Sequence, residues 1–558
     1  MADRFFAVDE QGYFRKRGRR IVPVGVNYWP GSCGVELWQA WPEDEIQHDL
    51  DVLKDLGLNT IRFFLRWQDF EPRAEKYDNK QFDRLGQFLE WCRERDVLAH
   101  PSLFVGWMSG GVFWPKWREE RNLFTDPFMI ERSSLFARKA AEVIQPYHDC
   151  VLALDLGNEL CCLPDSRQAR PHQVREWCAK TTWQIHEVWP EVLIVAGNEQ
   201  SQFIRDNGWR LNDQPGCDVL SMHGYPVPAW HCLPFDGMTD PLAQSLLPFC
   251  TQVARAFGAV MVQEFGTILT TGQVQQEQYL QATLPACWQA GGNGFLWWCL
   301  RDIKATVHPY LRHGFEEYLG LVDDQDRVKP GLEFFLEFAK EVQERPAPGH
   351  QSEAIGLYFP AHFYARDEEA NPGNTPQSLS PRLTAANYAL RQLGRETRIV
   401  RGDLELPGDL KTLLIPGSVP AGDEAARLLN WVQEGGRLIW HGPTGTSWGH
   451  AVSELLGGRP TDYRAPLPTT AEVFARRWSF RHYPEDTRLE VQLSKARSIA
   501  CDNHRLPMVF RNACGKGIAV CALPLIEDEF VAVCTDRSAR PIWLDWYAGM
   551  LAAVESEA

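Results

Sequence analysis

No stretch of this chain is apolar for long enough to cross a bilayer, which takes about 20 helical residues. The N-terminal stretch MADRFFAVDEQGYFRKRGRR contains no apolar leader segment either. Both absences predict a soluble, cytoplasmic protein with no membrane partner. Positive charge is scarce: 57 Lys and Arg stand against 73 Asp and Glu, a formal net charge of −16. Such a surface repels phosphate backbones, so no nucleic-acid partner is expected. The 15 cysteines are an odd number, scattered singly apart from the neighbours Cys161 and Cys162, and none sits in a C-x-x-C pair. Buried free thiols in a reducing compartment fit that scatter. The histidines His223, His231, His308 and His313 lack paired zinc spacing. Asp323, Asp324 and Asp326 make half a calcium loop without its glycine and closing glutamate, so a solvated turn is expected there. No metal is expected, and with no Gly-rich phosphate loop, no cofactor.

What is abundant is core. Hydrophobic residues make up 44% of 558, enough for two or three domains. From residue 21 to residue 345 strand and helix patterns alternate eight times. The strands read IVPVGV from Ile21, NTIRFFL from Asn59, VLAHPSL from Val97, VLALDL from Val151, VLIVAG from Val192, DVLSMH from Asp218, AVMVQE from Ala259 and GFLWWC from Gly294. Between them run amphipathic segments such as EDEIQHDLDVLKDLG, ending at Gly57, and QFDRLGQFLEWCRERD, with Phe82, Leu85, Phe88, Leu89 and Cys92 on one face. Eight such units predict a closed (β/α)₈ TIM barrel over residues 1–345, with a doubly wound open sheet as competitor. Long connections follow strands three (Phe104–Pro127), six (Gly224–Asp240) and eight (Leu300–Pro330). All three fall on the barrel's C-terminal face, where they would wall a pocket.

A charged, Pro- and Gly-bearing linker, Glu344–Gln351, precedes a second α/β domain over residues 350–558. Its strands read IGLYFP, TRIVRG, KTLLIPG, GRLIWHG and GKGIAVCALP, which predicts a parallel sheet. Tyr463–Ala496 breaks the rhythm and reads as a small β insertion, and PIWLDWYAGMLAAV reads as a terminal helix.

The chemistry gathers at strand ends. In LALDLGNELCC a buried strand runs into Asn158 and Glu159, and in AVMVQEFGT another runs into Glu264. Beside them stand Arg62 on strand two, His100 on strand three, His223 and Tyr225 on strand six, and Trp297 and Trp298 on strand eight. Singly, several have plain structural readings: Arg62 as a buried ion-pair partner, His100 as a core histidine, one tryptophan as barrel filler. Together, two carboxylates, a cation, an amide, a phenol and an indole are what cleavage of a glycosidic bond requires. One carboxyl delivers a proton to the leaving oxygen, and the other, ionised, meets an oxocarbenium-like carbon. Tyr225 and Arg62 would orient the nucleophile, Asn158 would bind the neighbouring sugar hydroxyl, and one Trp would floor the subsite.

The set resembles the clan of (β/α)₈ retaining glycoside hydrolases with acid/base and nucleophile on strands four and seven, and within it glycoside hydrolase family 5. The resemblance rests on the Arg of NTIRFF, the Asn-Glu of LGNEL, the His-x-Tyr of SMHGYP, the Glu of VQEFG and the Trp of FLWW, and covers about Phe6 to Val342. It implies Glu159 as acid/base and Glu264 as nucleophile. Leu160 stands where many family-5 endo-enzymes have proline. The second domain resembles the flavodoxin-like, class-I glutamine-amidotransferase-like domain attached to some β-galactosidases, where it serves assembly. No cysteine follows GRLIWHGPTG to form the amidotransferase elbow, so a non-catalytic domain and a homo-oligomer are expected. The resemblance implies a retaining exo-β-glycosidase acting on short oligosaccharides, a β-mannosidase first. The alternatives are a β-galactosidase or β-glucosidase, an endo-β-mannanase or endo-glucanase, and a non-catalytic carbohydrate-binding barrel.

Overall fold

The computed structural model describes residues 5–211, 213–267, 272–349, 353–364, 376–418, 420–443, 445, 448–465 and 468–556. Residues 350 and 351 of the expected linker, Thr444 of the GPTG turn, and residues 466 and 467 of the expected β insertion lie outside the described residues. The chain divides into two compact units, Met1–Trp230 with Gly237–Pro348, and His231–Asp236 with Gly349–Ala558.

Eight strands build the first unit: β1 Val24–Tyr28, β2 Thr60–Phe64, β3 Leu98–Ser102, β4 Leu154–Asp155, β5 Ile194–Val195, β6 Val219–Gly224, β7 Ala259–Phe265 and β8 Gly292–Trp297. Each pairs in parallel with the next, and β8 returns to β1, so the sheet closes into a (β/α)₈ barrel. Every strand residue is buried. Covered on both faces, such strands read as apolar runs rather than as alternation. The helix Asn79–Glu94 buries Phe82, Leu85, Phe88, Leu89 and Cys92, and Asp78 caps it by accepting the Lys80 N–H. A short antiparallel sheet, Phe6–Val8, Phe14–Lys16 and Arg19–Arg20, precedes the barrel. Its Phe6 and Phe14 pack with Leu98, Leu152, Leu193, Val219, Met261 and Leu296 and fill the end opposite the candidate site.

Two strands are shorter than their sequence patterns predict. The ladder at β4 covers two residues of Val151–Leu156, and at β5 two of Val192–Gly197. Beyond them the backbones close in on each other: a Cβ on Gly197 would sit 1.9 Å from the Gly157 carbonyl oxygen. Glu159 N–H donates to Gly197 O at 2.9 Å, and Glu159 turns into the left-handed region at φ +50°. Between β6 and β7 the register slips. Met222 pairs with Val262 and His223 with Glu264, leaving Gln263 as the extra residue of a bulge. A bulge resets the in–out alternation, and both Gln263 and Glu264 enter the barrel.

The second unit is mixed α/β. Its seven-stranded sheet comprises β9 Ile355–Phe359, β10 Thr397–Arg401, β11 Thr412–Pro416, β12 Arg437–His441, β13 Arg497–Cys501, β14 Pro507–Cys514 and β15 Gly517–Ala522. The order is β10-β9-β11-β12-β15-β14-β13. The first five strands in that order are parallel, and the last two join antiparallel, where the sequence pattern predicted a parallel sheet alone. Two further antiparallel pairs, Gly458–Arg464 with Arg488–Leu493 and Thr469–Val473 with Arg476–Phe480, form between β12 and β13. Helix Arg540–Glu555 ends the unit. Among the described residues no helix is long and apolar enough to cross a membrane.

Candidate active site

Arg62 on β2 is fully buried and anchors the site. Its guanidinium donates to Asp155 Oδ2 through Nε at 3.0 Å and Nη2 at 2.7 Å, to Asn27 at 2.9 Å, to Asn158 Oδ1 at 2.9 Å and to Glu264 Oε2 at 3.3 Å. The structural reading of Arg62, a buried ion-pair partner, describes part of these contacts, and the same guanidinium also reaches Asn158 and Glu264. It closes a buried ion pair with Asp155, and the rest of its planar fork orients the amide and one carboxylate.

Glu264 near the end of β7 also accepts the Tyr225 hydroxyl on Oε1 at 2.6 Å. Burial pushes its pKa up and Glu159 adds to that, while Arg62 and the Tyr225 hydrogen bond pull the other way. Burial, then the Glu264 charge, raises the Tyr225 phenol well above its ordinary range, so its proton stays on to donate.

Glu159, just past β4, is placed differently. Its Oε1 lies 3.0 Å from His223 Nδ1, and among charged side chains Glu199 acts on it most strongly. Burial first, and Glu199 second, lift its pKa from 4.5 to about 8. At least one oxygen of each glutamate lies within 4.8 Å of the other's and of the imidazole. His223 Nδ1 is also 3.5 Å from Glu264 Oε2, and its Nε2 is 3.1 Å from Gln263 Oε1.

A cavity of about 420 Å³ opens beside these groups. Asn158, Glu159, His223, Tyr225, Glu264 and Trp298 line it, and so do residues of all three long connections: Trp107, Trp230 and Glu316. The Trp298 indole N–H donates to buried Glu316 at 3.0 Å. Of the residues expected at the site, Arg62 reaches it only through Glu264 and Asn158. His100 and Trp297 do not line it. Trp297 fills the barrel wall against Phe265 and Phe335 and donates to Leu319 O at 3.1 Å. His100 is fully buried, with Nδ1 2.9 Å from Ala153 O and Nε2 2.8 Å from Gln263.

Gln263, Glu199, Glu316 and Asp155 escape sequence reasoning. Gln263 is hidden by the bulge, since plain alternation from Glu264 points it outward. Glu199 and Glu316 sit in loops whose course no periodicity marks. Asp155 alone carried a signal, as a charge inside an apolar strand. Cys161, Cys162 and Glu199 hold three donor atoms within 4.8 Å of one another, a spacing an ion also accepts. Here Glu199 Oε1 already accepts from both thiols and from Ser201 N–H, and that pairing accounts for the cluster. Asp323, Asp324 and Asp326 pair with Arg327, Lys304 and Arg301.

Residues 23–303 match the model of the family described as Cellulase (glycosyl hydrolase family 5). Among solved structures the chain is similar to the exo-beta-1,4-mannosidase Op5Man5 from Opitutaceae bacterium strain TAV5, at 46% identity and TM-score 0.94, covering 97% of this chain and 99% of that one. A GH5_18 protein from Streptomyces cattleya, solved with GlcNAc, shares the fold at 20% identity and TM-score 0.63, covering 71% of this chain and 99% of that one. So does Gan42B, a GH42 beta-galactosidase from G. stearothermophilus, at 15% identity and TM-score 0.68, covering 94% and 87%. A comparison with curated proteins found no match. With the matched family model spanning the barrel and a near-full-length relative at 46% identity, the chain belongs to glycosyl hydrolase family 5 and is a glycoside hydrolase.

Proposed function

We propose that the protein is a retaining exo-β-mannosidase that removes single mannosyl units from short β-linked oligosaccharides. The observation that carries this reading is the placement of Glu159 and Glu264 on either side of His223, 3.0 Å and 3.5 Å from the same nitrogen. Carboxylate oxygens within 4.8 Å of one another favour retention, which uses carboxyls about 5–5.5 Å apart, over inversion, which needs roughly 6.5–9.5 Å for a water. Glu264, braced by Tyr225 and Arg62, acts as nucleophile. It attacks the anomeric carbon while Glu159 protonates the leaving oxygen, and Glu159 then takes a proton from the water that releases the sugar. Asn158 binds the hydroxyl beside the reacting carbon, and Trp298, fixed by Glu316, floors the subsite.

The choice of mannose is supported by the 46% identical exo-beta-1,4-mannosidase. Exo action is supported by the cavity of about 420 Å³ walled by three loops, near the lower end of the ~300–1,000 Å³ typical of small-ligand sites. All 15 cysteines are free thiols, which favours a cytoplasmic setting. The second domain expected from the sequence, residues 350–558, is read as non-catalytic, amidotransferase-like and serving homo-oligomer assembly, which light scattering of the full chain tests. A panel of 4-nitrophenyl β-glycosides tests the activity itself. The mannoside should be cleaved at least tenfold faster than the galactoside and glucoside, and preference for either of those, or cleavage only of internal mannan bonds, overturns the reading.

A further inference from the structure

A chain of hydrogen bonds runs through the barrel interior from a backbone carbonyl to Glu159, and each link has a fixed direction. The Ala153 carbonyl can only accept, so His100 Nδ1, 2.9 Å away, carries a hydrogen. Burial lowers the His100 pKa to about 4 and keeps the ring neutral, so its Nε2 is a bare acceptor. Gln263 Nε2, at 2.8 Å, fills that acceptor, and this decides which way the amide points. The Gln263 oxygen then faces His223 Nε2 at 3.1 Å and requires a hydrogen there. Burial also lowers the His223 pKa. A neutral His223 with its hydrogen on Nε2 presents only a lone pair from Nδ1.

We propose that Gln263 and His100 are positioning residues that hold His223 as the Nε2–H tautomer, and that the His223 Nδ1 lone pair thereby holds the catalytic proton on Glu159. A lone pair 3.0 Å from an ionised carboxylate oxygen is repulsive. The same contact becomes a hydrogen bond when Glu159 Oε1 carries the proton. Glu264 is the poorer candidate for that proton. It lies farther, at 3.5 Å, and its two oxygens already accept from Tyr225 and Arg62. The charged and titratable groups acting on Glu159 agree with this assignment: Glu199 after β5 opposes its ionisation, while Arg62 on β2 and Arg205 favour it and are outweighed. The bulge at Gln263 makes the relay reachable, because it turns into the barrel a side chain that regular pairing would point outward.

The inference rests on the reading of Glu159 as acid/base, and its test separates the two. Neutron diffraction from crystals of the perdeuterated full chain at neutral pH should show deuterium on His100 Nδ1, on His223 Nε2 and on Glu159 Oε1, and none on His223 Nδ1. Deuterium on His223 Nδ1 overturns the proposal, and this map needs no variant. In solution, Gln263→Met keeps the side chain's length and removes both hydrogen-bonding ends. It should lower kcat/KM by roughly ten- to a hundredfold for a 4-methylphenyl glycoside, part of the ~10²–10⁴ a positioned general acid contributes. It should cost less than about threefold for a 2,4-dinitrophenyl glycoside, which leaves without a proton. The basic limb of its pH profile should move to lower pH. Equal losses on both substrates would mean that Gln263 only supports the fold, and would overturn the relay. Failure of the acid/base reading would appear instead as Glu159→Ala losing equally on both substrates while the deuterium positions stand.

Discussion

The Tyr225 hydroxyl donates to Glu264 Oε1 at 2.6 Å, while Arg62 approaches the other oxygen of the same carboxylate at 3.3 Å. Each donor stabilises the ionised form, and both oppose the burial that raises the Glu264 pKa. Tyr225→Phe removes one of them. The Glu264 pKa then rises, so the acid limb of the pH–rate profile should move to higher pH. At the plateau kcat/KM should fall about ten- to a hundredfold, the worth of a hydrogen bond to a charged group at ~1.5–3 kcal/mol. A pH profile of the variant checks both, and an acid limb that stays in place would remove Tyr225 from nucleophile activation.

Glu159 carries a stability consequence. Its folded pKa, near 8, lies above its ordinary 4.5. The folded state therefore binds the proton more tightly than the unfolded chain, and its contribution is intact below about pH 4.5 and lost as pH rises toward 8. Glu159→Gln cannot ionise. It should match the wild type in acid and exceed it near pH 8 by roughly 4 kcal/mol. Thermal melts across that range read the difference, and two parallel curves would show that Glu159 carries no such cost.

Arg62 and Asp155 are both fully buried and joined at 2.7 Å. Arg62→Ala leaves the Asp155 carboxylate without its cation, which costs about 3–5 kcal/mol. Urea unfolding should show a loss of that size along with the loss of activity. Full stability with lost activity would make Arg62 purely a site residue.

Glu316 holds the Trp298 indole by one hydrogen bond at 3.0 Å. Glu316→Leu should free the ring and raise KM several-fold more than it lowers kcat, because the sugar platform serves binding before chemistry. Glu316→Gln keeps an oxygen acceptor and should recover most of the loss. If neither variant changes KM, Trp298 does not floor the subsite.

The site was legible where a strand's hydrophobic pattern ends in a polar residue. Glu159, Glu264, Arg62 and Tyr225 could be placed because a closed parallel barrel aims such residues at its C-terminal face. Legibility ended where backbone geometry departs from regular pairing. One bulge conceals Gln263, and a close approach of Gly157 and Gly197 shortens β4 and β5 while turning Glu159 into the left-handed region. Neighbouring tryptophans pose the same difficulty. Composition cannot tell that Trp298 lines the cavity while Trp297 packs on Phe335. His100 sits at a strand position that suits a sugar ligand, yet its bonds to Ala153 and Gln263 turn it inward.

The division of labour between the two glutamates is the centre of the account, and azide trapping tests it most directly. Glu159→Ala keeps the nucleophile, so with a 2,4-dinitrophenyl β-mannoside it should still form the covalent intermediate. Azide should then attack that intermediate and give the β-mannosyl azide. Glu264→Ala should be inactive alone and, with azide, give the α-anomer. A β-azide from the Glu264 variant and an α-azide from the Glu159 variant would contradict the account and exchange the two roles.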